Sequence, residues 1–133
     1  MAQLSVKNKM FSDLDLDFIA HPNTRKLSPL TQDKAVIRSL KNLIMTNHYE
    51  RPFHPELGCG IRNSLFDNIL PSTAITIHNT IVEVIDNFEP RVNLTDVEVR
   101  ANPDKNRYDV RLIFFILNRP ESRTVNFFLE RIR

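Results

Sequence analysis

Cysteine occurs once in the 133 residues, at Cys59, so no internal disulfide can staple the chain, and a lone thiol fits a reducing compartment. Glycine occurs only twice, in Gly58-Cys59-Gly60, which confines the backbone conformations special to glycine to one tight loop. Tryptophan is absent, and with so little glycine the chain is poorly equipped to shape a sugar-binding cleft. No cationic, apolar segment opens the chain and no apolar run is long enough to span a bilayer, so no leader and no membrane partner are expected. Charge of one sign is also lacking. Eighteen Lys and Arg stand against sixteen Asp and Glu, and an excess of only +2 is poor evidence for a nucleic-acid partner in spite of a pI near 8.9. With 26% charged and 41% hydrophobic residues, the remaining class is one globular domain with a real core, assembled in a cytoplasm.

What is present centres on Ser72–Arg91. Ala74, Ile77, Ile81, Val84, Ile85 and Phe88 recur at steps of three and four, which lines one face of an α-helix. Thr76, Thr80, Glu83 and Asn87 make the opposite, wetted face. Ser72 or Thr73 is the expected cap, and Pro90 ends the run because it disfavours helical geometry at Glu89. Glu89 and Arg91 are thereby held on either side of a rigid proline.

Residues 1–30 show no sustained period and read as an arm and linker, followed by one domain over 31–133. Phe11, Leu14, Leu16 and Phe18 alternate imperfectly with Asp13, Asp15 and Asp17, as in a short edge strand or arm, and the aspartates read as a solvated face. A calcium loop is rejected because its glycine and closing glutamate are missing. His21–Leu30, with two prolines, reads as linker. A helix is expected over Gln32–Thr46, capped by Thr31, with Val36, Ile37, Leu40, Leu43 and Ile44 inward and a solvated basic face of Lys34, Arg38 and Lys41.

Tyr49–Gly60 carries two prolines and two glycines and should be an ordered loop. Phe53 is expected to pack into the domain, Gly58 or Gly60 to take a positive φ, and Arg51 to reach an acidic group in this chain or a neighbour. His48, His54 and Cys59 match no zinc spacing, so no metal and no cofactor are implied. Cys59 reads as a small buried thiol. A short helix over Ile61–Asn68 follows, with Ile61, Leu65 and Phe66 inward, and Pro71 separates it from the longer helix.

After Arg91 the period changes to two. Val97, Val99 and Ala101 alternate with polar residues. Val92 and Leu94 are out of phase with them, which predicts a bulge near Thr95. Turns at Asn102–Asn106 and Asn118–Glu121 separate a second strand, Tyr108–Leu117, and a third, Arg123–Ile132. The third has Val125, Phe127 and Leu129 on one face and Phe128 and Ile132 on the other. The fold class is α+β: three helices packed on a three-stranded antiparallel meander, with an N-terminal arm.

Arg51-Pro52-Phe53, Pro55-Glu56, Gly58-Cys59, Leu65-Phe66 with Asn68, and Phe88-Glu89-Pro90-Arg91 resemble the baseplate wedge family of contractile tails, which includes an inner-baseplate protein of T-even-like phages and a baseplate component of type VI secretion systems. The likeness runs in order over about residues 32–133, and Glu-Pro-Arg is the family's hallmark. It implies a virion protein of the tail baseplate, structural and not an enzyme, whose partners are other wedge proteins, the sheath subunit and the tail tube, and which initiates sheath polymerisation. By this resemblance Glu89, Pro90 and Arg91, with Arg51, meet the helical core of the wedge. The alternative for that turn is an internal cap in which Arg91 pairs with Glu89. The expected test is Arg91→Ala, leaving the fold intact while weakening assembly.

A three-stranded sheet has two unpaired edges. Sheath strands could add to one of them, with Phe115, Leu117, Arg123, Val125, Phe127 and Phe128 as the docking residues and Arg119, Arg131 and Arg133 nearby. Proline at Val125 or Phe127, or loss of Arg123–Arg133, would then stop sheath nucleation. The competing reading has residues 11–18 covering that face or edge. Two other classes remain for test: a lysozyme-like hydrolase, for which Glu56 and Asp67 are the available carboxyls, and a small basic nucleic-acid-binding module using Lys34, Arg38 and Lys41.

Overall fold

The computed structural model describes residues 11–131. In chain order the elements are β1 (Ser12–Leu14), β2 (Pro29–Thr31), α1 (Asp33–Met45), α2 (Ile61–Ser64), α3 (Pro71–Phe88), β3 (Val92–Asn102), β4 (Arg107–Ile116) and β5 (Ser122–Glu130). The chain divides into two compact units, Met1–Arg38 and Ser39–Arg133, and the division falls inside α1.

In the first unit β1 and β2 pair antiparallel, Ser12 with Thr31 and Leu14 with Pro29, and an isolated bridge joins Ala20 to Leu27. The stretch expected as linker therefore supplies the second half of a hairpin. Its tight end is held by His21 N–H on the Lys26 carbonyl and Arg25 N–H on the His21 carbonyl, both 2.9 Å. β1 falls in the stretch whose imperfect alternation allows a short edge strand, whereas β2, three residues with side chains largely in water, leaves no periodic signal and is not expected from sequence. Thr31 is the last residue of β2 and not a helix cap. Gln32 follows with φ of 55° and donates its N–H to the Phe11 carbonyl at 2.7 Å, so α1 begins at Asp33. The first ten residues of the expected arm lie outside the described residues.

The second unit is built on α3 and the meander. Ala74, Ile77, Ile81, Val84 and Ile85 are buried, as their spacing requires, and α3 packs along β3. The helix starts two or three residues earlier than a cap at Ser72 or Thr73 would place it. Leu70 is the N-cap, in extended geometry and without a side-chain hydrogen bond, and Pro71 takes the first helical position, where its missing N–H costs nothing. Ser72 and Thr73 therefore lie inside the helix and do not cap it. The Leu70 N–H bonds instead to the hydroxyl of buried Tyr108 on β4, 3.3 Å, and that hydroxyl donates to the Asn68 carbonyl at 3.3 Å.

The sheet runs β3-β4-β5, antiparallel throughout. On β4 the burial alternates along Tyr108, Val110, Leu112, Phe114 and Ile116, and Phe127 and Leu129 of β5 complete the inner face. The register of β3 against β4 slips between Leu94 and Asp96, which is the bulge that the phase change at Thr95 predicts. α2 is one turn long, shorter than the helix expected to Asn68. Ile61 and Leu65 are buried but Phe66 is exposed. Ile132 and Arg133 lie outside the described residues.

Candidate docking sites

The Glu-Pro-Arg turn closes α3. Glu89 caps the helix with its N–H on the Ile85 carbonyl, and Val92 N–H returns to the Glu89 carbonyl at 3.2 Å, so Pro90 sits exposed at the corner. Arg91 reaches back across it. Its Nε meets Glu89 Oε1 at 2.5 Å, and its Nη2 meets Glu89 Oε2 at 2.8 Å and the Ser39 hydroxyl at 3.0 Å. Ser39 in turn donates to Oε2 at 2.8 Å. The carboxylate is only 4% exposed, while the arginine side chain is 30% exposed. Burial alone would push the Glu89 pKa up. The hydrogen bonds from Arg91 and Ser39 and the charge of the guanidinium outweigh it and hold the group below its ordinary value. The turn is thus an internal fork whose outward surface consists of Pro90 and part of Arg91. Because Arg91 neutralises a buried charge, Arg91→Ala should cost stability in addition to any contact the side chain makes outside the chain.

Arg51 is exposed on the loop between α1 and α2 and makes no ion pair among the described residues. Nor does Phe53 pack into the domain: it is 97% exposed with φ of 69°. Hydrophobicity alone suggested burial, but the prolines on either side and the left-handed backbone turn the ring outward. Gly58 has the expected positive φ, 121°, and a Cβ there would lie 2.6 Å from the Thr46 carbonyl oxygen. Gly60 has φ of −70° and needs no such freedom. Cys59 is buried, and burial raises its pKa to about 12, with Glu83 adding to the rise against a backbone hydrogen bond at Ile61. Such a thiol is inert at neutral pH.

The six residues expected to receive a strand do not form one patch. The register places Phe115 and Phe128 on the outer face of the sheet, opposite Ser122 and Asp109, at its two ends. Between them the outer face carries Ile113, Thr124, Arg111 and Asn126, and toward the Phe128 end it is ion-paired: Arg107 meets Asp109 at 2.8 Å and stacks 3.8 Å over the Phe128 ring, and Arg100 pairs with Glu98. Phe127 is buried, Val125 and Arg123 share its side of the sheet, and Leu117 lies exposed just past β4. What β5 offers is its backbone. Arg131 donates its N–H to the Asn106 carbonyl at 3.1 Å. Carrying that phase along the register turns the N–H groups of Arg123, Val125, Phe127 and Leu129 toward β4, and those of Thr124, Asn126 and Phe128 away from it. Among the described residues, no strand pairs with the outer side of β5 or of β3. Residues 12–14, one candidate for covering an edge, pair with β2 instead.

Of the other candidates, Glu56 is exposed, and a backbone hydrogen bond and His54 at 3.3 Å hold its pKa below the usual value. Asp67 is exposed as well. Arg38 is half-buried and bound to Asp17 at 2.8 Å, so it does not join the exposed Lys34 and Lys41 in a basic stripe. No helix of the described residues is long and apolar enough to cross a membrane.

Residues 31–120 match the family model described as Baseplate wedge protein gp25. The curated baseplate wedge protein gp25 of Enterobacteria phage T4 is 32% identical over 114 residues, 86% of each chain. The chain belongs to the baseplate wedge protein gp25 family. It is by that membership a structural baseplate protein of contractile tails. The matched span holds both the Glu89 turn and the Arg51 loop and ends before β5. Among solved structures, the wedge fold recurs in a chain of the anti-feeding prophage baseplate (TM-score 0.62, 24% identity, 93% of this chain and 88% of that one). It recurs also in a chain of the post-contraction pyocin R2 baseplate (TM-score 0.61, 21% identity, 80% and 98%). A third neighbour, from Geobacter sulfurreducens, is provisionally named a tail lysozyme (TM-score 0.67, 21% identity, 74% and 89%).

Proposed function

We propose that this wedge protein joins other wedge polypeptides through the Pro90–Arg91 corner and Arg51, sits beside the tail tube, and starts the sheath by accepting a strand of a sheath subunit on the edge of β5. The observation that carries the proposal is the row of outward N–H groups at Thr124, Asn126 and Phe128 on an edge left unpaired among the described residues. Main-chain hydrogen bonds would give the added strand its affinity, and the alternation of side chains would fix its register. The names of three of the relatives, a baseplate wedge protein and chains of two baseplates, support the setting. Assembly would take place in the host cytoplasm, with the virion tail as final location.

The same geometry decides which substitutions test the idea. Proline at Val125 or Phe127 would break bonds to β4, and Phe127 is also core. Proline at Thr124 or Asn126 removes only an outward N–H, which an edge strand tolerates. Baseplates carrying Asn126→Pro, with the variant shown folded by circular dichroism, should fail to nucleate sheath. Full-length sheaths on such baseplates would refute strand addition at this edge.

A hydrolytic role is the weaker reading. A glycosidase acid needs a raised pKa, whereas Glu56 stands in water with its pKa moved the other way.

A further inference from the structure

Tyr49 and Phe53 stand four residues apart on the α1–α2 loop, 86% and 97% exposed. Both hold positive φ, 65° and 69°, which side-chain-bearing residues rarely adopt. The loop is nevertheless firmly tied. Tyr49 N–H bonds to the Pro55 carbonyl at 3.0 Å, Asn47 N–H to the Glu50 carboxylate at 2.8 Å, and Cys59 N–H to the Thr46 carbonyl at 2.7 Å. Gly58 presses its backbone against the end of α1. The chain thus spends backbone strain to keep two large rings in water, where neither contributes to the core. Rigid exposed aromatics of this kind are what protein interfaces use as anchors, because little freedom is lost on binding.

The charges on the loop indicate what it meets. Glu50 is engaged by the Asn47 N–H and Glu56 by His54, whereas Arg51, between the two rings, has no ion pair among the described residues. Two carboxylates flanking a single guanidinium oppose a phosphate backbone or an anionic bilayer. They suit a pocket that is apolar at its floor and carries one carboxylate at its rim.

We propose that Tyr49, Arg51 and Phe53 form a preorganised knob that seats in an apolar, carboxylate-rimmed pocket of another wedge polypeptide. This rests on the wedge-docking reading above, and it assigns to Phe53 and Tyr49 the anchoring role beside Arg51. The test uses the purified full chain against each other wedge polypeptide of the same tail, purified separately, with binding followed by calorimetry. Phe53→Asn accepts the left-handed backbone and removes no packing, so its Tm should equal or exceed that of the parent. Its binding should weaken by about thirtyfold, the usual cost of truncating an anchor, and Arg51→Glu should weaken it similarly. If the parent binds and both variants bind equally well, the knob is refuted while wedge docking stands. If the parent binds none of the polypeptides, wedge docking falls and the knob with it. Binding to phosphatidylglycerol vesicles or to a single-stranded oligonucleotide that is lost in Phe53→Asn would overturn the protein pocket in favour of that ligand.

Discussion

Arg91 grips both carboxylate oxygens of Glu89 across the single residue Pro90, so the most buried acidic side chain of the described residues and its counter-charge lie two positions apart in the chain. Such a pair needs no long-range contact to find itself. Ser39 then fastens it to α1. Removing the cation alone leaves an uncompensated buried charge, and Arg91→Ala should lose about 3 kcal/mol. Glu89→Gln introduced into that variant should recover part of the loss. Urea unfolding of the two measures this, and no recovery would mean that Arg91 contributes through packing alone.

The same carboxylate makes stability depend on acid. Its folded pKa lies below the unfolded value near 4.5, so its contribution is complete above that value and is lost as pH falls through the lower one. The parent should exceed Glu89→Gln in urea midpoint at pH 7, and the gap should narrow by pH 3. A gap that stays constant with pH would show that the side chain acts through shape and not charge.

Gly58 and Gly60 should respond very differently to alanine. At Gly58 the added Cβ meets two carbonyl oxygens within 3 Å at a φ of 121°, so Gly58→Ala should cost about 1–3 kcal/mol from the backbone conformation, with the clash added to it. At Gly60 the nearest atom is the edge of the His48 ring at 3.2 Å, an exposed side chain that can move. Thermal unfolding should rank Gly60→Ala close to the parent and Gly58→Ala far below it.

Tyr108→Phe keeps the buried ring but removes the hydroxyl that receives the Leu70 N–H at the start of α3. A loss of about 1 kcal/mol is expected. Amide exchange localises it: protection should fall at Leu70 and the first turn of α3 while the centre of the sheet is unchanged.

What could be read from the sequence was whatever repeats. The stripe from Ala74 to Ile85, the alternation in β4 and the broken phase at Thr95 each follow from a period imposed by burial, and α3, the meander and the bulge stand where those periods put them. What could not be read depends on single residues in unusual conformations. Gln32 at φ of 55° ends the hairpin and delays α1, and Phe53 at 69° turns an apolar ring into water. Neither residue type announces a left-handed backbone. Leu70 cannot be read as a cap because its side chain has no acceptor for the first-turn N–H groups, and the partner of its own N–H, Tyr108, lies 38 positions away. The Glu89–Arg91 fork was foreseeable as a possibility, since the two charges flank one proline, but its depth was not: Ser39 comes from another helix and sequence gives no sign of it.

The bulge at Thr95 makes the two sides of the sheet unequal as templates. Ahead of it the Leu117 N–H bonds to the Arg91 carbonyl, so Asn93 faces β4 and Val92 and Leu94 face out; beyond it the parity reverses, and Val97 and Val99 face out. A strand laid along β3 would lose step with its partner partway and could match only a few residues on either side. Along β5 the frame is unbroken from Ser122 to Glu130. One border of the sheet is therefore punctuated, while the other offers a single uninterrupted frame, so only the β5 border could be matched in register along its whole length.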